Sequence, residues 1–131
     1  MGVFVDYPSN PFSNLKNVET TILTANIHPI QVTGLIVCNR TSHTILVNLK
    51  KVRSQISPIS IYEINEFEIK AYDTVDIVAA KGLNIYLQYS TIPDPSISDS
   101  LVIFSNGYTQ IFDCDISYIR LNDLPLPPPA P

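Results

Sequence analysis

The stretch IQVTGLIVCN (30–39), RTSH (40–43), TILVNLKKV (44–52) decides how this chain is read. Two runs rich in β-branched residues flank a short polar break, which is a hairpin signal. In the first run Val32, Gly34, Ile36 and Cys38 alternate with Thr33, Leu35, Val37 and Asn39. In the second, Ile45, Val47 and Leu49 alternate with Leu46, Asn48 and Lys50. A period of two argues strand, because successive strand side chains point to opposite faces. Both faces of the first run carry apolar groups, so it is expected in a central strand covered on both sides. The pair reads as the centre of a β-sandwich, with no chemistry in it.

The same alternation recurs outward from this stretch. Residues 18–25 (VETTILTA) read as a strand, ended by Ile27-His28-Pro29. Residues 56–64, 67–71, 75–77, 83–87, 101–105 and 111–121 follow as further short strands. Pro58 belongs at a strand end or edge, since proline donates no ladder hydrogen bond. Asn106-Gly107 predicts a second hairpin between the last two strands. No stretch of helical length shows the i, i+3, i+4, i+7 apolar spacing, so no helix is expected. About eight short strands with turns between them argue an all-β fold, an antiparallel β-sandwich or jelly roll. Its predicted core is Val32, Ile36, Val47, Ile61, Ile69, Ile85, Leu101 and Ile103.

A single sandwich domain over residues 18–123 is expected between two extended arms, residues 1–17 and 124–131. In the first arm Pro8 and Pro11, among Ser9, Asn10, Ser13 and Asn14, argue against regular structure. Yet Val3, Phe4, Tyr7 and Phe12 are more apolar than a free tail. An arm lying across its own sheet or on a neighbour suits this mixture. The second arm, LPLPPPAP, is biased by its prolines to polyproline II. Preset φ angles lower the entropy that such an arm loses on docking. The expected partner contacts are therefore Val3, Phe4, Tyr7 and Phe12 at one end, and Leu124, Pro125, Leu126, Pro127 and Pro128 at the other.

Composition narrows the function. Charged residues make up 15% of the 131, against about 25% in an ordinary soluble chain, and a weakly charged surface suits assembly. The net charge is −4, and the only basic cluster is Lys50-Lys51-Arg53. Nucleic acid binding needs a basic footprint that displaces counterions, so no nucleic acid partner is expected. No apolar run is long enough for a membrane helix. The opening MGVFVDYPSNPF lacks the basic and apolar regions of a secretory signal. Cys38 and Cys114 each sit in a strand-like run and are expected as buried, reduced thiols.

Chemistry is sparse. His28 and His43 are the only histidines, whereas a metal site needs three or four converging ligands. Asp113 and Asp115 share a strand face while Cys114 points away. Asp94, Ser96, Ser98 and Asp99 lack the spacing of a calcium loop. No nucleophile elbow, phosphate loop or dinucleotide fingerprint is present. No catalytic residue, metal or cofactor is expected, and the chain reads as no enzyme. Asn39-Arg40-Thr41 matches a glycosylation acceptor, but the three are assigned to the turn, where Asn and Thr bond locally. Seven tyrosines keep a carbohydrate-binding sandwich as an alternative, although packing explains most of them.

The order of features resembles small β-sandwich proteins encoded among the virion genes of tailed bacteriophages. The residues that carry the resemblance are Thr21-Ile22-Leu23-Thr24-Ala25, Val32 to Asn39, Ile45 to Leu49, Ser98 to Asn106, and Ser117-Tyr118-Ile119-Arg120-Leu121. It covers residues 20–122 and excludes both arms. Ser98 stands where the pattern has glycine before Asp99. The resemblance implies a virion structural protein: a head decoration (cement) protein, or an adaptor or fibre-base component of the neck or tail. It implies the major capsid protein or other virion proteins as partners, self-association, and a place in a virion assembled in the host cytoplasm. It offers no catalytic residues to carry over.

Overall fold

The computed structural model describes residues 5–6, 8–54, 58–91 and 97–121. The early strands are β1 (Val5–Asp6), β2 (Ser9–Leu15), β3 (Thr20–Thr24), β4 (Ile30–Asn39), β5 (Ile45–Ser54) and β6 (Ile59–Ile69). Then come β7 (Thr74–Asp76), a short helix α1 (Ile77–Lys81), β8 (Tyr86–Leu87), β9 (Tyr89–Ser90), β10 (Ile97–Ser105) and β11 (Phe112–Leu121). Two antiparallel sheets enclose one apolar core. The first runs β2-β11-β4-β7, with β1 also on β11 and β8 also on β4. The second runs β3-β10-β5-β6, with β9 also on β10. From β2 to β5 the chain changes sheet at every connection, and it does so again from β6 to β7, from β8 to β9 and from β10 to β11. This interleaving is a jelly roll, so the all-β sandwich expected from the sequence is the fold observed.

The predicted central hairpin is not one. β4 pairs with β11, β7 and β8, while β5 pairs with β10 and β6. The connection 40–44 is an arch between sheets, and Leu35 and Val37 meet Ile45, Val47 and Leu49 in the shared core. Asn106-Gly107 likewise lies between sheets, since β10 and β11 belong to different ones. Alternation marks a strand with one buried face but does not say whether its successor lies beside it or across the core.

Bulges account for the misplaced core residues. Val32, Val47, Ile69, Ile85, Leu101 and Ile103 are buried as expected, but Ile36 is 47% and Ile61 48% exposed. Ser117 pairs with Gly34 and Tyr118 with Val32, so Thr33 is an extra residue in β4. One extra residue reverses the alternation: Val32, Leu35, Val37 and Asn39 face inward and Ile36 outward. A Cβ on Gly34 would stand 2.9 Å from Ser117 Oγ, which is why glycine occupies the bulge. β4 is central, as expected, but its outer face is not fully covered among the described residues. In β6 the register slips twice, with Glu66 at φ 57°, and this edge strand leaves Ile59 and Ile61 half exposed.

Residues 9–15, expected to be irregular, add a strand to the chain's own sheet. Pro11 is tolerated because β2 is an edge strand, and Asn14 at φ 56° forms its bulge. The helix was also unforeseen. Asp76 caps it by accepting from the Val78 and Ala79 N–H groups, and Gly82 ends it at φ 60°. With only one and a half turns, it leaves no periodic trace in the sequence.

Candidate interaction surfaces

The sandwich has two unlike ends. At the corner end, connections 16–19, 40–44, 70–73 and 106–111 lie together. Asn39, 1% exposed, organises it. Its Nδ2 donates to the carbonyls of His43 (2.8 Å), Ile69 (3.0 Å) and Lys70 (3.0 Å), and its Oδ1 accepts from Thr41 N–H and hydroxyl. The turn assignment of Asn39 and Thr41 therefore holds, and the buried amide is committed to the fold. Nearby, Asn48 donates to Asn106 Oδ1 and accepts from Glu66 N–H, which anchors the β6 bulge. Ser105 Oγ donates to the Gln110 carbonyl.

At the open end one ion pair dominates. Arg53 grips Asp99 through Nε (2.8 Å) and Nη2 (3.0 Å), and the Gln88 N–H donates to the same carboxylate (2.8 Å). Burial pushes Asp99 up, but the Arg53 guanidinium and the Gln88 N–H, with Lys51 further off, outweigh it and leave the carboxyl below its ordinary value. Beside this pair the sheets gape. A groove of 460 Å³ opens between β3, the β3–β4 connection and the end of β11, lined by Thr21, Leu23, His28, Ile30 and Tyr118 among others. His28 Nδ1 is buried with no hydrogen-bond partner. Ile27, at the groove, is 64% exposed.

A third surface is the outer face of the first sheet. A hollow of 440 Å³ there is lined by Pro11, Phe12, Ile36, Cys38 and Asp115 among others. Asp115 Oδ1 is buried and unpartnered, and its cross-strand neighbours Pro11 and Ile36 offer no side-chain donor.

Candidate chemical groups are dispersed or structurally engaged. Asp113 and Asp115 share a face as expected, but Asp113 accepts from Arg40 Nη1 (2.7 Å) and Asn14 N–H (2.9 Å). Asp99 is committed to Arg53, and Ser98 donates to the Ala25 carbonyl; Asp94 and Ser96 lie outside the described residues. His43 is exposed in the β4–β5 arch at the corner end, whereas His28 lines the groove at the open end. Among the described residues no cluster of His, Cys, Asp or Glu could hold a metal. Cys38 and Cys114 lie on neighbouring strands but face opposite ways, Cys38 outward and Cys114 inward. Burial, with Asp115 and Asp113 adding repulsion, pushes the Cys114 thiol up to about 12. Cys38 is only half-buried, contrary to expectation. Of the tyrosines, Tyr118 is core, Tyr62 lies beside Lys50, and Tyr72 and Tyr108 are exposed at the corner end.

Of the expected partner contacts, Phe12 is half-buried against this chain's own core. Val3, Phe4, Tyr7, Leu124, Pro125, Leu126, Pro127 and Pro128 lie outside the described residues. The Arg53–Asp99 pair and the groove left no local signal, because their members come together from distant parts of the sequence.

No protein-family model matches the chain, and no curated protein matches it. A solved structure does: a chain in the structure of infectious bursal disease virus, Gx strain, at 14% identity and a TM-score of 0.53. A virus structure contains this fold. The match covers 95% of this chain and 34% of the viral one, so the chain spans about a third of its neighbour's length. A chain from the Gt strain structure aligns at 13% identity over 92% of this chain and 38% of its own, with a TM-score of 0.47. At such identities the likeness concerns fold, and the virus is not a bacteriophage.

Proposed function

We propose that this chain is a non-enzymatic structural protein of a virus particle, specifically a head decoration (cement) protein of a tailed bacteriophage. It binds the major capsid protein and further copies of itself during assembly in the host cytoplasm. The observation that carries the reading is the jelly-roll order β2-β11-β4-β7 over β3-β10-β5-β6, a fold shared with a chain of a virus structure. The incomplete cover of its apolar surface supports it. Ile27, Ile36, Ile59 and Ile61 are each about half exposed or more, and Ile59 and Ile61 lie together on the edge strand β6, where a neighbour could cover them.

The mechanism is burial repeated by symmetry. A standard contact covers about 800 Å² per partner, and a symmetric shell multiplies weak contacts into strong retention. The test is mass spectrometry of purified particles, followed by imaging at side-chain resolution. The expected result is many copies on the head surface. Particles without the chain would sink the reading, and density confined to the neck or tail would replace the cement role with an adaptor role.

A further inference from the structure

We propose that the first half of the edge strand β6 joins this chain to a second copy, by antiparallel pairing of residues 58–62 with the same residues of the copy. The inference rests on the structural reading above and names the contact through which copies join. β6 is the last strand of the sheet β3-β10-β5-β6 and, among the described residues, pairs on one side alone. Free strand edges are ordinarily guarded by shortness, proline, bulges or charge. Other edges here are guarded in this way. β7 has three residues, β2 carries Pro11 and the Asn14 bulge, and β3 is broken by a register shift. In β6 the guards stand in the second half: Glu63, the bulge at Glu66, and Glu68. Ile59-Ser60-Ile61-Tyr62 has neither charge nor bulge, and Ile59, Ile61 and Tyr62 are 50%, 48% and 55% exposed.

This stretch is complementary to itself. Ile59 lies opposite Arg53 and Ile61 opposite Lys51, on the face of the sheet that Leu49 shares, where they border a hollow of 240 Å³. Opposed residues of antiparallel strands share a face. A twofold axis through Ser60, normal to the sheet, therefore sets Ile59 opposite Ile61 of the copy, and Ile61 opposite Ile59 of the copy. Four isoleucines then form one apolar cluster across the join. On the other face Tyr62 meets Pro58 of the copy, which donates no hydrogen bond and so ends the ladder. Neighbouring registers are poorer. An axis through Ile61 puts Glu63 opposite Ile59, and an axis through Ile59 leaves Ile61 opposite residue 57, beyond the strand.

Electrostatics admits a copy of the same chain. Like edges repel when they bring unpaired charges of one sign together. Behind this edge each cation of β5 is already paired within its own chain: Lys50 with Glu19 (2.9 Å), Lys51 with Glu63 (3.9 Å) and Arg53 with Asp99 (2.8 Å). An axis through Ser60 also sends Glu63, Glu66 and Glu68 of the two copies in opposite directions, so the acidic halves stay apart. The contact is isologous and closes at a dimer. A ladder about 17 Å long buries less than the about 800 Å² per partner of a standard contact. The pair is therefore weak alone and counts through repetition in a shell.

The test is sedimentation of the full chain at concentrations up to about 1 mM, where a monomer–dimer equilibrium is expected. The double variants Ile59→Lys/Ile61→Lys and Ile59→Glu/Ile61→Glu should each raise the dimer Kd roughly tenfold or more, and mixing the two should restore dimers as mixed pairs. Ser60→Cys, on the axis, should give on oxidation a bridge between the two position-60 thiols, identified by mass spectrometry. A chain that stays monomeric throughout overturns the proposal, and so does a dimer whose Kd neither double variant changes. Should the double variants fail to fold, the absence of a 60–60 bridge overturns it instead. Particles in which Ser60→Cys bridges solely to another virion protein overturn it too, yet leave the structural role intact. Conversely, a 60–60 bridge stands even if particles lack the chain, which would sink the structural role alone.

Discussion

The corner end and the open end close the same gap between sheets by different means. At the corner end the connections bond to one another. Asn39 ties the arch 40–44 to the carbonyls of Ile69 and Lys70, the Tyr72 N–H donates to the Thr41 carbonyl, and the Ser105 N–H donates to the Lys16 carbonyl. At the open end a guanidinium–carboxylate pair stands beside a groove, and Ile27, Ile59 and Ile61 are 64%, 50% and 48% exposed. Among the described residues, the corner end satisfies its polar groups through its own connections, whereas the open end leaves apolar side chains exposed. The two ends thus differ in how far their own chain satisfies them among the described residues.

Of the two ends, the larger expected effect is at the open one. Arg53→Ala leaves the Asp99 carboxylate, 0% exposed, without its cation, and the loss in urea melts at neutral pH should be about 3 kcal/mol. The loss should shrink with acid. Asp99 is held below its ordinary pKa, so the pair stabilises fully above the unfolded value, about 3.9, and fades as pH falls through the folded value. A pH-independent loss would mean that Arg53 acts through packing instead. At the corner end, Asn39→Ala strands the three carbonyls that its amide serves and should cost about 2 kcal/mol. A loss under about 0.5 kcal/mol would show that the neighbouring bonds carry that end without it.

Smaller effects probe the uncovered surface. Ile36→Ala, on the outer face, should cost under about 1 kcal/mol, whereas Leu35→Ala next to it should cost roughly 2–5 kcal/mol. Equal costs would place the β4 bulge wrongly. Smallest of all, Ile27→Ser and Ile61→Ser should shift stability of the monomer by no more than about 0.5 kcal/mol. Their effect belongs in assembly: incorporation into particles should fall. Unimpaired incorporation would mean that the open end is not the covered one.

Much of the fold was legible because strand character and turn chemistry are local. Ile45, Val47 and Leu49 alternate in the sequence and all three are fully buried. The Asn39–Thr41 turn was readable from two residues that bond across a single intervening one. Leu35 and Ile36 could not be told apart, because the bulge that reverses their faces depends on pairing with Ser117 and Tyr118, some eighty positions away. The groove was invisible for the same reason: Thr21, Ile30 and Tyr118 converge only once both sheets exist.

By itself, then, the sequence determined that this chain is all-β, where its long central strands lie, and that it carries few charges. Backbone preference and alternation act between neighbours, so those properties survive without knowledge of the rest of the chain. Only the tertiary structure decided which strands pair, which connections are arches, and which apolar residues stay outside. Pairing partners are chosen by contacts between distant segments. The two apparent hairpins have local patterns equally suited to side-by-side or face-to-face strands, and the shared core settles the choice by burying Leu35 and Val37 against Ile45 and Val47.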